Sequence, residues 1–575
     1  MIRRVVRRTV SAAQQAALPD KLHPVLRRVL AGRAVCDAAS LDAGLAQLHP
    51  PTQLLGMTQA VALLEVALQQ RQRILVVGDF DADGATSSAL MVTALRAMGA
   101  ASVEYLVPNR FEFGYGLTPE IVTVAASRKP DLIITVDNGI SSIEGVAAAR
   151  AQGIRVLVTD HHLAGNQLPE ADAIVNPNQP GDEFPSKCLA GVGVAFYLIM
   201  ALRSRLRASG WFITAGCKEP NLAEYLDLVA LGTVADLVPL DANNRILVQQ
   251  GLQRIRAGRC RPGIRALLEL ANRATSRLVA ADFGFVVGPR LNAAGRLDDM
   301  SLGIECLLAE DPAQARELAG KLDDLNRERR EIEADMKEQA LQHVAAIQVN
   351  AEQLPLGLCL YDPVWHQGVI GIVASRIKEQ FHRPVIAFAA AGPGELKGSA
   401  RSIPGLHIRD TLDAIAVRHP ALLSKFGGHA MAAGLSLRDG DLEAFRSAFA
   451  AELHRRLDQS LLTGVLESDG ELQASEFGLE LSELLRWAGP WGQGFPEPLF
   501  DGRFTLVRQR VVGERHLKLV VRPLDSDQVL EAIAFNQAAR AVQDGQQLRL
   551  VYRLDTNEYR GALGLQLVVE FLEVC

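Results

Sequence analysis

Between residue 73 and about residue 180, short solid apolar runs alternate with helix-spaced stretches. ILVVGDF leads into SSALMVTALRAMG and then VEYLVP. DLIITVDNG leads into IEGVAAARAQG and then IRVLVTDHH. A strand buried on both faces reads as a continuous apolar run, so the alternation predicts a parallel sheet covered by helices. From about 311 to 347 the pattern becomes a charged helix centred on DDLNRERREIEADMKEQ. Its Leu318, Leu322, Leu325, Ile332 and Met336 form a narrow apolar stripe. That stripe fits a coiled-coil partner or a connector between two lobes. The connector is favoured, because new α/β units begin beyond it: LGLCLY, VIGIVASRIKEQF, PVIAFAA and the glycine-rich KFGGHAMAAG. After about 460 come short β-rich runs, FTLVRQRVV, HLKLVV, VLEAIAF, QLRLVYRL and LQLVVEFLEV. They predict a small antiparallel barrel or sandwich. The expected segments are therefore 1–310, 311–350, 351–458 and 459–575.

Composition narrows the class. A chain of 575 residues exceeds one hydrophobic core. Its 48% hydrophobic and 22% charged residues are those of a soluble globular protein. No apolar run reaches the roughly 18 residues of a membrane span. The basic N-terminus MIRRVVRRTVSAAQQAALPD lacks the apolar core of a secretory signal and reads as a solvated arm or first helix. Seven cysteines are scattered without a C-x-x-C pair, which excludes a disulfide framework or zinc ribbon and fits a reducing cytoplasm. A net charge of −6 argues against indiscriminate coating of nucleic acid. It leaves room for a local basic groove, and arginines cluster in RIRAGRCRPGIR and GPRLNAAGR.

The candidate chemistry begins at GDFDADG, residues 78–84, where Asp79, Asp81 and Asp83 alternate. Carboxylates this close raise one another's pKa unless a cation holds them together. A calcium loop is excluded: the twelfth position from Asp79 is Leu90, not glutamate, and a strand-like run precedes the loop. Further acidic or imidazole groups close two more strands, Asp137 in one and Asp160-His161-His162 in the other. In open parallel sheets ligands bind beyond the carboxyl ends of the strands. Three pieces of chain thus deliver metal-type ligands to one edge. Mixed carboxylate and imidazole donors suit a pair of Mn²⁺ or Mg²⁺ ions, which activate water in phosphoester hydrolysis.

GDFDADGATS, TVDNGISS, VTDHH and ALGTVADLVPLDANNR resemble, in order, the motifs of the DHH phosphoesterase superfamily. Within it the chain is similar to the bacterial RecJ single-strand-DNA exonucleases. The likeness continues through GPRLNAAGRLDD, WHQGVIGIVASRI, KGSARS, FGGHAMAAG and the β-rich tail. It implies a parallel-sheet DHH domain, a connector helix, a second α/β domain of the DHHA1 type and a C-terminal OB-fold. It also implies two metals held by Asp81, Asp83, Asp137, His161 and Asp236, with Asp137 as the bridge and His162 beside them. Many relatives carry histidine four residues before Asp81; here that position is Val77, and Asp79 is the candidate replacement.

The resemblance further implies that Arg290, Asn292 and Arg296 line an opposite wall, and that His366, Ser399, Arg401 and His429 hold phosphate. Arginine suits that task because its planar fork matches phosphate oxygens. Arg110 and Tyr115 belong to NRFEFGYG, whose Phe111, Phe113 and Tyr115 either stack on bases or fill core.

The implied function is 5′→3′ hydrolysis of single-stranded DNA to mononucleotides in recombination and repair, with a helicase and single-strand-binding protein as partners and no membrane. Two alternatives are a small-substrate DHH phosphoesterase and an inactive scaffold in a DNA complex. The β-rich tail disfavours the first, and the intact ligand set disfavours the second.

Overall fold

The computed structural model describes residues 3–109, 116–350, 354–540, 542–559 and 562–575. Arg110, Phe111, Phe113 and Tyr115 lie outside the described residues. The chain forms two compact units. One contains Arg7–Asn326 together with Ser468–Cys575, and the other contains the residues up to Val6 with Arg327–Glu467.

The first unit is built on a five-stranded parallel sheet. Its elements in chain order are β1 (Arg73–Gly78), α1 (Ala82–Ala97), β2 (Ser102–Leu106), α2 (Pro119–Ser127), β3 (Leu132–Val136), α3 (Ile143–Ala151), β4 (Arg155–Thr159) and β5 (Ala173–Val175). The strand order is β2-β1-β3-β4-β5, with every pair parallel. The pleat sends alternate residues to opposite faces. Ile74, Val76, Ile134 and Leu157 join the large core under α1. Leu75, Val77, Ile133 and Val158 join a smaller one containing Ile121 and Val146 from α2 and α3. With both faces covered, the strands need apolar residues throughout, which is why they read as solid runs. Because β1 has β2 on one side and β3 on the other, a crevice opens beyond their carboxyl ends. Three further helices of this unit approach that edge: α4 (Gly191–Ala208), α5 (Leu226–Ala235) and α6 (Gly288–Leu297).

A 39-residue helix, α7 (Pro312–Asn350), matches the expected connector in extent. The division between units falls within it, at Asn326, rather than at either end. Leu322 and Met336 of its apolar stripe are buried.

The second unit holds a mixed sheet made of β6 (Leu358–Tyr361), β7 (Val385–Gly392), β8 (Glu395–Arg401), β9 (Lys425–Gly428) and β10 (Ala432–Arg438). Its order is β9-β10-β8-β7-β6, with only the β6–β7 pair parallel. Helix α8 (Ile370–Phe381) runs between β6 and β7.

The tail closes into a barrel of β11 (Phe500–Val512), β12 (His516–Pro523), β13 (Leu530–Ala534), β14 (Gln547–Tyr559) and β15 (Ala562–Val574). The order is β11-β12-β13-β15-β14. The expected all-antiparallel pairing needs correction, since β13 and β15 run parallel. Five strands in a ring cannot alternate direction at every neighbour, so closure forces one parallel pair. The barrel interior, including Phe500, Phe504, Leu519 and Tyr552, is continuous with the large core of the first unit.

The N-terminal segment also differs from the expected solvated arm. Arg7 donates from Nε and Nη2 to the Asp501 carboxylate at 2.8 and 3.0 Å. Arg33 forks onto Asp469 at 2.7 and 2.9 Å, with both side chains buried. Asp469 and Asp501 precede or begin the barrel, so arginines that look like a solvated charge run instead fasten the two ends of the unit together. Charge pattern cannot reveal this, because the partners lie more than 400 residues away.

Candidate metal centre

Asp81 is the N-cap of α1, and its carboxylate accepts from the N–H groups of Asp83 and Gly84 at 2.9 and 3.0 Å. This explains the spacing D-x-D-G: the first carboxylate caps the helix while the second lies inside its first turn. Asp83 is buried and gripped by another helix start, accepting from Gly191 N at 2.6 Å and Val192 N at 3.0 Å. Those donors begin α4, where unsatisfied N–H groups and the helix dipole favour an anion. Glycine is required for this approach. A Cβ on Gly191 would lie 2.6 Å from Asp137 Oδ1, and one on Gly232 would lie 2.7 Å from Asp83 Oδ1.

Asp137 follows β3 with φ of 62°, a left-handed conformation that aspartate tolerates better than most residues. Its neighbour Asn138 anchors the turn by donating to the carbonyls of Val77 and Val136 at 3.1 and 2.9 Å. After β4, His161 Nε2 lies 3.1 Å from Asp137 Oδ1 and 3.5 Å from Asp236 Oδ2. Asp236 caps the carboxyl end of α5. Asp79 is buried, and its carboxylate accepts from Phe80 N at 2.7 Å.

Donor atoms come together in overlapping sets. Asp79, Asp81 and Asp137 form one, Asp83, His161 and Asp236 a second, and Asp137, His161 and His162 a third. Within each set the donor atoms lie within 4.8 Å of one another. Asp137 and His161 each belong to two.

The electrostatics call for positive charge. Burial, followed by the charge of Asp81, pushes Asp83 up to about 7. Burial drives Asp137 well above the usual carboxylate range, and Asp83, Asp81, Asp236 and Asp79 add to it. Asp236 is raised likewise by burial and then by Asp83, Asp81 and Asp79. Such carboxylates ionise together only when cations sit among them. All-oxygen and imidazole donors without thiolate fit hard divalent ions such as Mg²⁺ or Mn²⁺. The residues present fit the group.

Asp160 supports the centre from behind, a role that sequence did not assign. It accepts from Ile140 N at 2.8 Å, from the backbone N–H groups of His161 and His162 at 2.7 and 3.1 Å, and from His162 Nδ1 at 2.8 Å. Burial alone would raise its pKa, but the bond and charge of His162 outweigh burial and hold it low. Burial likewise opposes a charge on His162, yet the Asp160 bond and charge, then Asp79 and Asp81, lift it to about 9. Asn176 and Asn178 donate to the carbonyls of His162 and His161 at 2.9 and 2.6 Å. The only sequence signal for them is the turn-rich VNPNQ that follows β5.

Of the residues expected on an opposite wall, Asn292 accepts from Ala82 N at 2.8 Å and so touches the aspartate loop directly. Arg296 is half-buried one turn along the same face of α6. Arg290 points elsewhere. It is buried, with Nε 2.9 Å from Asp323 Oδ1 and Nη1 2.8 Å from the Val286 carbonyl, so it ties α6 to α7. An arginine in a basic run is legible from sequence, but its partner is not.

In the second unit, Ser399 and Arg401 share a face of β8, and Arg401 Nη1 donates to Ser399 Oγ at 3.0 Å. A Cβ on Gly371, in the first turn of α8, would come within 2.9 Å of both side chains. A helix start, a guanidinium and a hydroxyl therefore converge. His429 is exposed just beyond β9, and its N–H bonds Ala432 O, the neighbour of Arg401 across the sheet. His366 Nδ1 accepts from Gly368 N at 3.1 Å, bracing the turn before α8.

A parallel α/β sheet whose strand ends gather these carboxylates and a paired histidine defines a DHH-type protein. The DHH family, N-terminal domain, matches residues 73–233, the DHHA1 domain 348–455 and the RecJ OB domain 468–570. The chain is 59% identical over 560 residues to the single-stranded-DNA-specific exonuclease RecJ of Dickeya dadantii, covering 97% of each. It is 56% identical over 559 residues to that of Escherichia coli, again covering 97% of each. Among solved structures, RecJ of Thermus thermophilus in complex with Mn²⁺ matches 99% of this chain and 79% of that chain at 32% identity and a TM-score of 0.82. The chain belongs to the RecJ family of the DHH proteins.

Proposed function

We propose that this chain is a divalent-cation-dependent exonuclease that hydrolyses single-stranded DNA 5′→3′ to mononucleotides, in the service of recombination and repair. The observation that carries the reading is the overlap of donor sets at Asp137 and His161 within the same compact unit as the barrel. A barrel of this order suits single strands, and its union with the catalytic core favours a polymeric substrate over a small one.

Asp79, Asp81, Asp83, Asp137, His161 and Asp236 would hold two cations, Mn²⁺ or Mg²⁺, with Asp137 between them. When bound, such a pair supplies a water activated at neutral pH and charge to stabilise the leaving oxygen. Asp160 keeps His162 oriented and charged through Nδ1, which leaves Nε2 to hold a proton near that oxygen. Ser399, Arg401, His429 and the start of α8 would take a phosphate of the strand, with Asn292 and Arg296 bordering the aspartate loop. No helix among the described residues is long and apolar enough to cross a membrane. The reading extends to action in the cytoplasm, on strands opened by a helicase and presented with single-strand-binding protein.

The test is incubation with Mn²⁺ and end-labelled single- or double-stranded DNA, followed by sizing of the products. Mononucleotides from the single strand alone are expected. Endonucleolytic ladders or equal attack on duplex would overturn it.

A further inference from the structure

We propose that a cavity next to the acidic centre is a nucleobase-binding subsite for the substrate strand, an inference that rests on the exonuclease reading above. The cavity encloses about 440 Å³ within the first unit. Val234, Leu237 and Phe285 line it from the catalytic core, and Trp487 and Trp491 from the segment before the barrel, with Arg256 among them.

Position is the first argument. Val234 and Leu237 flank Asp236, whose carboxylate lies 3.5 Å from His161 Nε2. Leu237 has φ of 60°, a conformation that a branched apolar residue adopts only at a cost, and its side chain is left 68% exposed. One turn of chain thus serves the acidic centre and the cavity together.

The lining chemistry is the second. Phe285 is 78% exposed on a π-helical turn, Phe283–Val287, a distortion that recurs at functional sites. An aromatic ring that neither packs nor hydrogen-bonds gains nothing from such exposure, whereas bases stack on such rings whatever their identity. The cavity volume lies in the usual range for ligand pockets, roughly 300–1,000 Å³.

Charge is the third. The Arg256 guanidinium lies 4.6 Å over the Trp487 ring and donates from Nε to the Leu278 carbonyl, with no ion-pair partner among the described residues. Burial, and then the charge of Arg486, pulls it down to about 10 against the opposing charge of Asp282, so it stays cationic at neutral pH. Glu497 and Asp555 also line the cavity but are paired with Arg553 and Arg486, which leaves Arg256 as the lining cation without an ion pair within 4 Å among the described residues. A phosphate beside a stacked base supplies an anion for it.

The experiment uses the full chain with Mn²⁺ and a single-stranded oligonucleotide in which one abasic site is moved stepwise from the 5′ end. The wild-type chain should show a position where loss of the base raises KM about tenfold, the scale of one stacked base. Phe285→Ala should raise KM for the intact strand by a similar factor and flatten the scan, while Phe285→Tyr preserves both. Phe285 is exposed, so folding is not at issue. A flat wild-type scan, or one unchanged by Phe285→Ala, would overturn the subsite. Failure of the wild-type chain to degrade the intact strand would overturn the exonuclease reading itself.

Discussion

Asp160, buried, and His162, half-buried, form a pair in which Nδ1 donates to Oδ1 over 2.8 Å, and the same oxygen accepts two backbone N–H groups. This geometry holds the proton on Nδ1 of His162 and fixes the orientation of the whole histidine turn. Asp160→Asn removes the charge that these donors face and, with the amide oxygen left to them, turns an NH₂ against Ile140 N–H. Activity at saturating Mn²⁺ should fall about 10- to 100-fold, the usual scale for a group that orients metal-site residues. The assay is run well below the melting temperature of both forms, and a wild-type rate there would remove Asp160 from the mechanism.

Metal binding should be tied to pH through the buried carboxylates. Asp83 is pushed up to about 7 by burial and then by Asp81, and Asp137 is raised in the same sense by burial and then by Asp83. A raised carboxylate lets the folded state hold protons that the unfolded chain has released. Its contribution is fully present below the unfolded value and is lost as pH rises toward about 7. Cations reverse the loss, because they bind the ionised form. The rise in Tm on adding Mn²⁺ should therefore be larger at about pH 8 than at about pH 6. Equal rises at both would mean that these groups do not hold the metal.

Asp137→Ala should abolish hydrolysis while leaving the fold intact. Burial, and then the charges of Asp83 and Asp81, oppose ionisation of this side chain in the metal-free protein, so its loss removes no ion pair that holds the fold. Melting without metal should be unchanged or higher, and the Mn²⁺-dependent rise should shrink. A folded variant that keeps near wild-type activity at saturating Mn²⁺ would exclude the bridge.

The legible part of this site was the part written in strand ends. Solid apolar runs announce the parallel sheet, and three of them close on a carboxylate or imidazole, so Asp79, Asp81, Asp83, Asp137 and His161 group together from the sequence alone. Asp236 came from resemblance alone: it ends a helix, where an aspartate has many uses. What stayed hidden depends on contacts distant in sequence. The N–H groups of Gly191 and Val192 on Asp83 are backbone donors with no side-chain signature. Arg290 and Arg33 look alike in a basic run, yet each is committed to a buried or half-buried aspartate.

That commitment at Arg33 is testable. Arg33 and Asp469 are 1% and 2% exposed, and Arg33 also donates to Val29 O at 2.7 Å. Removing Arg33 leaves the buried Asp469 carboxylate with Arg8 Nε at 3.8 Å and the Leu499 N–H at 3.0 Å, so the cost is at most that of a broken buried pair, about 3–5 kcal/mol. Arg33→Ala should lower the denaturation midpoint of the first unit accordingly, as followed by urea titration. Arg27→Ala, whose partner Asp20 is fully solvated, should shift it by less than about 1 kcal/mol. Equal shifts would show that the Arg33 tie contributes no more than an exposed pair.

Polarity should depend on Arg401. Its guanidinium, the Ser399 hydroxyl and the first turn of α8 converge on one face of β8, with Gly371 keeping that turn close. N–H groups at a helix start and a charge-assisted guanidinium bond both favour a phosphate, and a terminal phosphate carries more charge than an internal one. Capture of that end would let the enzyme count from the 5′ side and release one nucleotide per cut. Strands with a 5′-phosphate should therefore be cut faster than 5′-hydroxyl strands, by about tenfold if one such contact contributes roughly 1.5 kcal/mol. Arg401→Ala should shrink the difference while the Mn²⁺-dependent rise in Tm of the first unit stays as it was, since every donor of the acidic centre belongs to that unit. Release of nucleotides from the 3′ end would remove this role, as would indifference of the wild-type rate to the 5′ group.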